Sequence, residues 1–353
     1  MKMKFEDLDN PEIRKKIDPN NVYGSTGMLA DQCACIWETV KAIEFPENYK
    51  SLENITLCGM GGSRYGAYIV QNLCKNLLKV PFLEYGDYHL PAYVGKKSLF
   101  ILSSYSGGTE EPLASAQEVI EKGYPIIGLT SGGKALELSK QHNFPSIVFD
   151  QKYNPSGQPR LGTGYMIFGL IALLTRLGYI RVSDGEVKKA ISELRSNKKK
   201  IQSKAKEIAQ KIYGSFPVCL AGEFLNGNIH IIRNQFNETA KTFAGFSSLP
   251  ELNHHLMEGL KFPADKKLYV LFIDSPLYSD KLQKRIAITK DVVEKNNIPQ
   301  VSFKAKGSTK LSQMLNVLSF GGYVSLYLAF LYDQDPGVIP WVDYFKEQMA
   351  KAG

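Results

Sequence analysis

The side chains with chemical potential gather in two glycine-rich turns and a few isolated charged positions. Ser103-Ser104-Tyr105-Ser106-Gly107-Gly108-Thr109-Glu110-Glu111 follows an apolar run and precedes a helix-like segment. Its hydroxyls at Ser104, Ser106 and Thr109, set on flexible backbone at the end of a strand, suit a phosphate monoester, which carries charge and several acceptors. The bland alternative makes Ser106 or Thr109 a helix N-cap, with Glu110 and Glu111 complementing the dipole. Both roles can coexist. Leu57-Cys58-Gly59-Met60-Gly61-Gly62-Ser63 is a second such turn. Gly61 and Gly62 let backbone N–H groups face a ligand at a helix start, and Ser63 adds a hydroxyl. The dinucleotide fingerprint fails, because Arg64 occupies its final glycine position, and no Walker A pattern occurs. Alone, this turn could equally be a ligand-free strand-to-helix connection.

Three charged positions stand out. Arg160 follows Pro159 at the start of an apolar segment, where the helix dipole disfavours a cation unless it has another task. Glu238 ends a polar cluster, Asn234-Gln235-Phe236-Asn237-Glu238, after the apolar Ile231-Ile232. It is either an exposed helix face or a site carboxylate. His254 is followed by His255, and the two must project differently. His89, His142 and His230 are isolated and read as ordinary surface or core residues. No spacing among the five histidines and five cysteines makes a zinc site, so no metal and no cofactor is expected. Cys33 and Cys35 are too close for structural pairing and read as half-buried packing.

The elements that would carry these residues are short apolar strands separated by helical stretches. Strands are predicted over Ile55–Cys58, Ser98–Ser103, Pro125–Leu129 and Ser146–Phe149, then Phe216–Ala221, Lys267–Ile273 and Gln300–Phe303. Continuous hydrophobicity in short runs is what a parallel sheet covered on both faces requires. The fold class is therefore α/β, with two similar doubly wound parallel-sheet domains: each half has a strand ending in a glycine turn and a later strand ending in a polar one. The lysine-rich Ser183–Ile212 reads as a helical connection, with Lys198-Lys199-Lys200 on its solvated face. The predicted division is 1–182, 183–212 and 213–353. Leu161–Leu174 and Met314–Tyr332 are apolar enough to need a membrane check. The first is short and the second is interrupted by Asn316, Ser319, Gly321, Gly322 and Ser325, so both are predicted to be buried helices.

The 353 residues carry 44% hydrophobic and 22% charged side chains, a globular composition that excludes disorder and collagen. A net charge of +8 suits an anionic ligand but is too diffuse for nucleic acid. The opening Met1-Lys2-Met3-Lys4 lacks a signal-peptide core, and five sparse cysteines favour reduced thiols. A cytoplasmic protein without membrane partner is expected.

In order along the chain, six blocks resemble the bifunctional phosphoglucose/phosphomannose isomerase family, whose domains have the sugar isomerase (SIS) fold. The turn at Gly59–Ser63 is similar to that family's Gly-x-Gly-Gly-Ser. The loop at Ser104–Thr109 is similar to its Ser-Tyr-Ser-Gly-Asn-Thr, with Gly108 replacing the Asn. Pro159-Arg160 with Gly164-Tyr165, Phe236-Asn237-Glu238-Thr239-Ala240-Lys241, Pro250-Glu251-Leu252-Asn253-His254 and the closing Asp335-Pro336 with Tyr344-Phe345-Lys346 complete the match, which runs from about Gly59 to Lys346. Gly337-Val338 departs from the family's Thr-Pro, and Gly162-Thr163 from its small apolar residues.

The resemblance implies aldose–ketose isomerisation of a hexose 6-phosphate, without metal or nucleotide. Gly61, Gly62, Ser63, Ser104, Ser106 and Thr109 would hold the phosphate. Glu238 would move a proton between C1 and C2, and Arg160 would stabilise the enediolate. His254 and Lys346 would help to open the ring. It also implies a homodimer with active sites shared between subunits. Each role fits the chemistry of its side chain: a carboxylate can accept and return a proton on one face of a cis-enediol, and a fixed cation offsets the charge. A non-catalytic phosphosugar sensor could keep the hydroxyl loops but would not need Glu238 and His254. A nucleotide-dependent dehydrogenase is disfavoured by the failed glycine fingerprint.

Overall fold

The structure, a computed structural model, describes residues 5–352; the opening Met1–Lys4, read above for its charge, lies outside them. The chain begins with α1 (Pro11–Ile17), α2 (Val22–Gly27) and α3 (Leu29–Lys41). Next come β1 (Asn54–Cys58), α4 (Tyr65–Leu73), β2 (Phe82–Tyr85), β3 (Ser98–Ser104), α5 (Glu110–Glu121), β4 (Ile126–Thr130), α6 (Gly133–His142), β5 (Ser146–Val148) and α7 (Thr163–Arg176). The strands form a parallel sheet in the order β2-β1-β3-β4-β5. Every residue of β3 and β4 is buried, as the continuous apolar runs predicted.

After α8 (Asp184–Ile212) the plan repeats. It runs through β6 (Phe216–Gly222), α9 (Asn226–Glu238), β7 (Gly245–Leu249), β8 (Leu268–Asp274), α10 (Asp280–Lys295), β9 (Gln300–Lys304), α11 (Lys310–Leu331) and α12 (Pro340–Ala352). The second sheet is also parallel, in the order β7-β6-β8-β9. Both sheets thus reverse strand order beside their first strand. In an open α/β sheet, the strand ends at such a switch point are where ligands bind. In the first sheet they carry the two turns singled out above.

All seven predicted strands are present, with ends displaced by a residue or so. Two strands, β2 and β7, went unpredicted. Both are edge strands, and most of their residues keep partial exposure, so neither shows a continuous apolar run. The connection α8 starts on a capping box: Ser183 Oγ accepts from the Glu186 N–H, and Glu186 accepts from the Ser183 N–H. Such a cap contributes about 1 kcal/mol. Lys198, Lys199 and Lys200 lie exposed on this helix.

The two long apolar runs are core helices. α7 is buried from Thr163 to Leu174 and packs among α3, α4 and β4. α11 alone among the described helices is long and apolar enough to cross a bilayer, yet it is buried from Leu311 to Phe330. It lies among α2, α8 and α9, with Gly321 directly against Ile232 and Phe320 stacked on Phe303 at 3.7 Å. Burying one such ring contributes about 1.5–3 kcal/mol. Because α4 packs on α9, the first sheet's ligand end is fixed relative to the helix that bears Glu238.

Candidate active site

A cleft of about 770 Å³ opens above the switch point of the first sheet. Met60, Gly61, Gly62 and Ser63 line it from the turn after β1, and Ser106, Gly108 and Thr109 from the loop after β3. Gln158, Pro159 and Arg160 form one wall, Glu238 comes from the end of α9, and Gly337, Asp343 and Lys346 close it from the C-terminal segment. This volume is in the range of small-molecule sites.

The two turns are locked into one unit. Ser63 Oγ accepts from the Tyr105 N–H at 2.8 Å, and Ser103 Oγ donates to the Ser63 carbonyl at 2.6 Å. Gly107 has φ +72°, and a Cβ there would meet the Gly132 carbonyl oxygen at 1.8 Å, so only glycine fits. A Cβ on Gly62 would stand 2.9 Å from the Arg160 Cα, so this glycine lets Arg160 reach the loop. Gly108 has open space where the family's asparagine would project.

Thr109 holds the N-cap position of α5, but its side chain makes no capping hydrogen bond. The first turn of that helix therefore leaves main-chain N–H groups beside the cleft. Ser104 does not line the cleft. It is fully buried one layer beneath, with its hydroxyl 3.2 Å from that of Thr109. Ser104 thus sets the threonine's rotamer rather than facing a ligand.

Arg160 is 4% exposed, in a short 3-10 turn before α7. Nη1 donates to Gln158 Oε1 at 2.9 Å, and Nη2 to the carbonyls of Pro336 at 2.7 Å and Gly337 at 2.9 Å. Nε has no partner. The guanidinium is thus oriented by neutral acceptors and keeps its charge for the cleft. Burial pulls its pKa down, and the nearby Glu238 is the strongest influence in the other direction.

Glu238 is the last residue of α9, and its Oε2 is buried without any hydrogen-bond partner. Burial pushes its pKa above the usual carboxylate range, against the pull of Arg160, Lys346 and Lys241. A carboxylate that is partly dehydrated, unpartnered and turned into a cleft is a poised base.

Lys346 lies exposed on α12 and reaches the same cleft. His254 does not. It is exposed, at the end of the 3-10 turn Glu251–His254 that follows β7. His230, read as ordinary, is stacked between Tyr68 and Phe246, and burial holds its pKa down at about 4. All five cysteines are free, and four are buried. Among the described residues, no three His, Cys, Asp or Glu side chains gather where a metal ion could be held.

The sequence reading did not find Gln158 or the two carbonyls that orient Arg160. A carbonyl ligand leaves no side-chain signature, although the turn that presents both lies at the noted Asp335-Pro336.

Two parallel sheets that share the order of their first four strands, with a hydroxyl-lined cradle at the first switch point, define a protein of the SIS class. The comparisons bear this out. Residues 201–349 match the family described as bacterial phospho-glucose isomerase C-terminal SIS domain. A bifunctional phosphoglucose/phosphomannose isomerase from Caldicellulosiruptor bescii is 32% identical over 94% of this chain and 99% of its own length. Its counterpart from Aquifex aeolicus is 30% identical over 85% and 91%. A solved structure of a hypothetical protein from Thermus thermophilus superposes with a TM-score of 0.73 at 14% identity, covering 99% of this chain and 94% of the other. The chain belongs to the bifunctional phosphoglucose/phosphomannose isomerase family.

Proposed function

We propose that the cleft interconverts glucose 6-phosphate and fructose 6-phosphate, and takes mannose 6-phosphate as the epimeric aldose, through a cis-enediol and without a metal ion. The observation that carries this reading is the unpartnered Glu238 carboxylate sharing one cleft with the hydroxyl cradle and the Arg160 guanidinium. The phosphate docks on Ser63, Ser106, Thr109 and the main-chain N–H groups of the two turns, with Ser104 fixing Thr109. The sugar carbons extend toward α9. Glu238 removes the proton from C2 of the aldose and returns it to C1. Arg160 holds the oxygen on which negative charge develops, a task that a Lewis-acidic metal performs in other isomerases. For the glucose–fructose pair both proton transfers occur on one face of the enediol, so a single carboxylate suffices; the mannose epimer requires the enediol to turn the opposite face of C2 toward the same carboxylate.

Ring opening needs a group that shuttles protons near neutrality, and His254 suits it, assisted by Lys346. His254 stands outside its own chain's cleft, so we propose that it serves the cleft of a second copy in a homodimer. The exposed apolar side chains Trp341, Tyr344 and Phe345 on α12, with Phe243 and Phe262, are suited to such an interface. We further place the enzyme in a reducing cytoplasm, acting on free sugar phosphates and on neither membranes nor nucleic acid. Its five free cysteines, four of them buried, accord with that setting.

The test is turnover of fructose 6-phosphate to glucose 6-phosphate by purified protein in the presence of a chelator, with mannose 6-phosphate assayed in parallel. Undiminished turnover supports the reading. Activity that disappears with the chelator and returns with a divalent cation contradicts it.

A further inference from the structure

Just beyond the end of α9 stands a lysine in an unusual backbone state. Lys241 follows Glu238 by three residues and has φ +50°, a left-handed conformation that costs a non-glycine residue about 1 kcal/mol. Glycine is the ordinary choice where a helix ends this way, here with the Thr242 N–H returning to the Phe236 carbonyl at 2.9 Å. The lysine side chain therefore has a reason to be there. Its ammonium donates to the Asp335 carbonyl at 2.5 Å and to the Thr239 carbonyl at 3.3 Å.

Asp335 opens the turn that orients Arg160. Its own Oδ1 accepts from the Gly337 N–H at 2.7 Å, which holds the turn closed. The Pro336 and Gly337 carbonyls within the turn then grip Nη2 of Arg160. The series of contacts runs from the helix of the base, through Lys241 and the Asp335–Gly337 turn, to the cation. Without it, the base on α9 and the arginine before α7 would be fixed only by separate packing.

We propose that Lys241 is a positioning residue for the isomerisation, tying the Asp335–Gly337 turn to α9 so that the Glu238 carboxylate and the Arg160 guanidinium stay in register. This rests on the isomerase reading given above and extends it to a residue outside the cleft lining. The electrostatics agree with the geometry. Although the residue as a whole is exposed, dehydration around its ammonium lowers the Lys241 pKa to about 8, and Arg160 pushes the same way, against Asp335 and Glu238. The cations acting on the Glu238 carboxylate are Arg160, Lys346 and Lys241 itself.

The test compares Lys241→Met and Lys241→Arg with the unaltered protein. In Lys241→Met, kcat should fall at least ~10-fold while KM for fructose 6-phosphate stays within ~3-fold, because the phosphate cradle belongs to other elements. The acid limb of kcat/KM should move to higher pH, since one cation beside Glu238 is gone. Lys241→Arg keeps a charged donor and should restore both. Unchanged kcat and acid limb in Lys241→Met overturn the proposal, as does a loss in which Lys241→Arg shares fully. Carbon-13 NMR titration of the Glu238 carboxyl provides a readout independent of turnover. Its pKa should rise in Lys241→Met and not in Lys241→Arg. If the unaltered protein fails to isomerise, the functional reading falls, while this titration still decides whether Lys241 acts on Glu238.

Discussion

Glu238 and Arg160 form a pair in which each is buried further than an ordinary charge and neither is neutralised by a conventional ion pair. For Glu238 this has a consequence for stability as well as for catalysis. Its pKa in the fold lies above the carboxyl's usual value, so the folded state holds this proton more tightly than the unfolded chain does. The group favours folding below the unfolded pKa, and that contribution is lost as pH rises through the folded one. Glu238→Gln keeps the neutral form at every pH. Its melting temperature should therefore exceed that of the unaltered protein by ~1–3 °C at pH 7 and match it near pH 4. A melting temperature lowered at pH 7 would mean that the Arg160 attraction outweighs dehydration. In the sequence, Glu238 could be read as a site carboxylate or as an exposed helix face, because the residues that share its cleft, from Gly61 to Lys346, are distant along the chain.

Elements differ in how openly the sequence shows them. Central strands must be apolar on both faces, so β1, β3, β4, β6 and β8 were legible as continuous runs. Of the four partly exposed edge strands, β5 and β9 were legible and β2 and β7 were not. The hydroxyl loop after β3 lay open to reading because its requirements are local: Gly107 has to be glycine, and the hydroxyls flank it. What the sequence could not separate was which hydroxyl lines the cleft and which lies beneath it, since that depends on Ser104 being the last, buried residue of β3 while Ser106 lies exposed in the loop beyond. In the structure, Ser104 is buried beneath the cleft and Thr109 lines it. The double variant Ser104→Ala with Thr109→Val should accordingly raise KM for fructose 6-phosphate ~10-fold or more, with kcat changed far less, as steady-state kinetics would show. A KM equal to that of the unaltered enzyme would remove this loop from phosphate binding.

The whole molecule is one plan used twice, yet the helix starts of its two sheets are treated differently. In the second sheet the helix start after β8 is occupied by the chain's own Glu223, whose carboxylate accepts from the Ser279 N–H at 3.1 Å and from its hydroxyl at 2.5 Å. The duplication was legible from the spacing of strands and turns; the unequal fate of the two switch points was not, because it depends on one side chain folding back. Assembly is where His254 must be accounted for. If a second copy supplies it, mixing Glu238→Gln with His254→Ala and allowing subunits to exchange should regenerate about a quarter of unaltered activity, since half the dimers would carry one intact site. Mixtures no more active than either variant alone would place His254 elsewhere. The central claim, that one carboxylate carries the proton between carbons, is tested most directly by proton NMR of fructose 6-phosphate in D2O. The unaltered enzyme should exchange deuterium into the C1 position of the ketose, and Glu238→Gln, with substrate still bound, should do so at least ~100-fold more slowly. Exchange at an undiminished rate in Glu238→Gln would contradict the account.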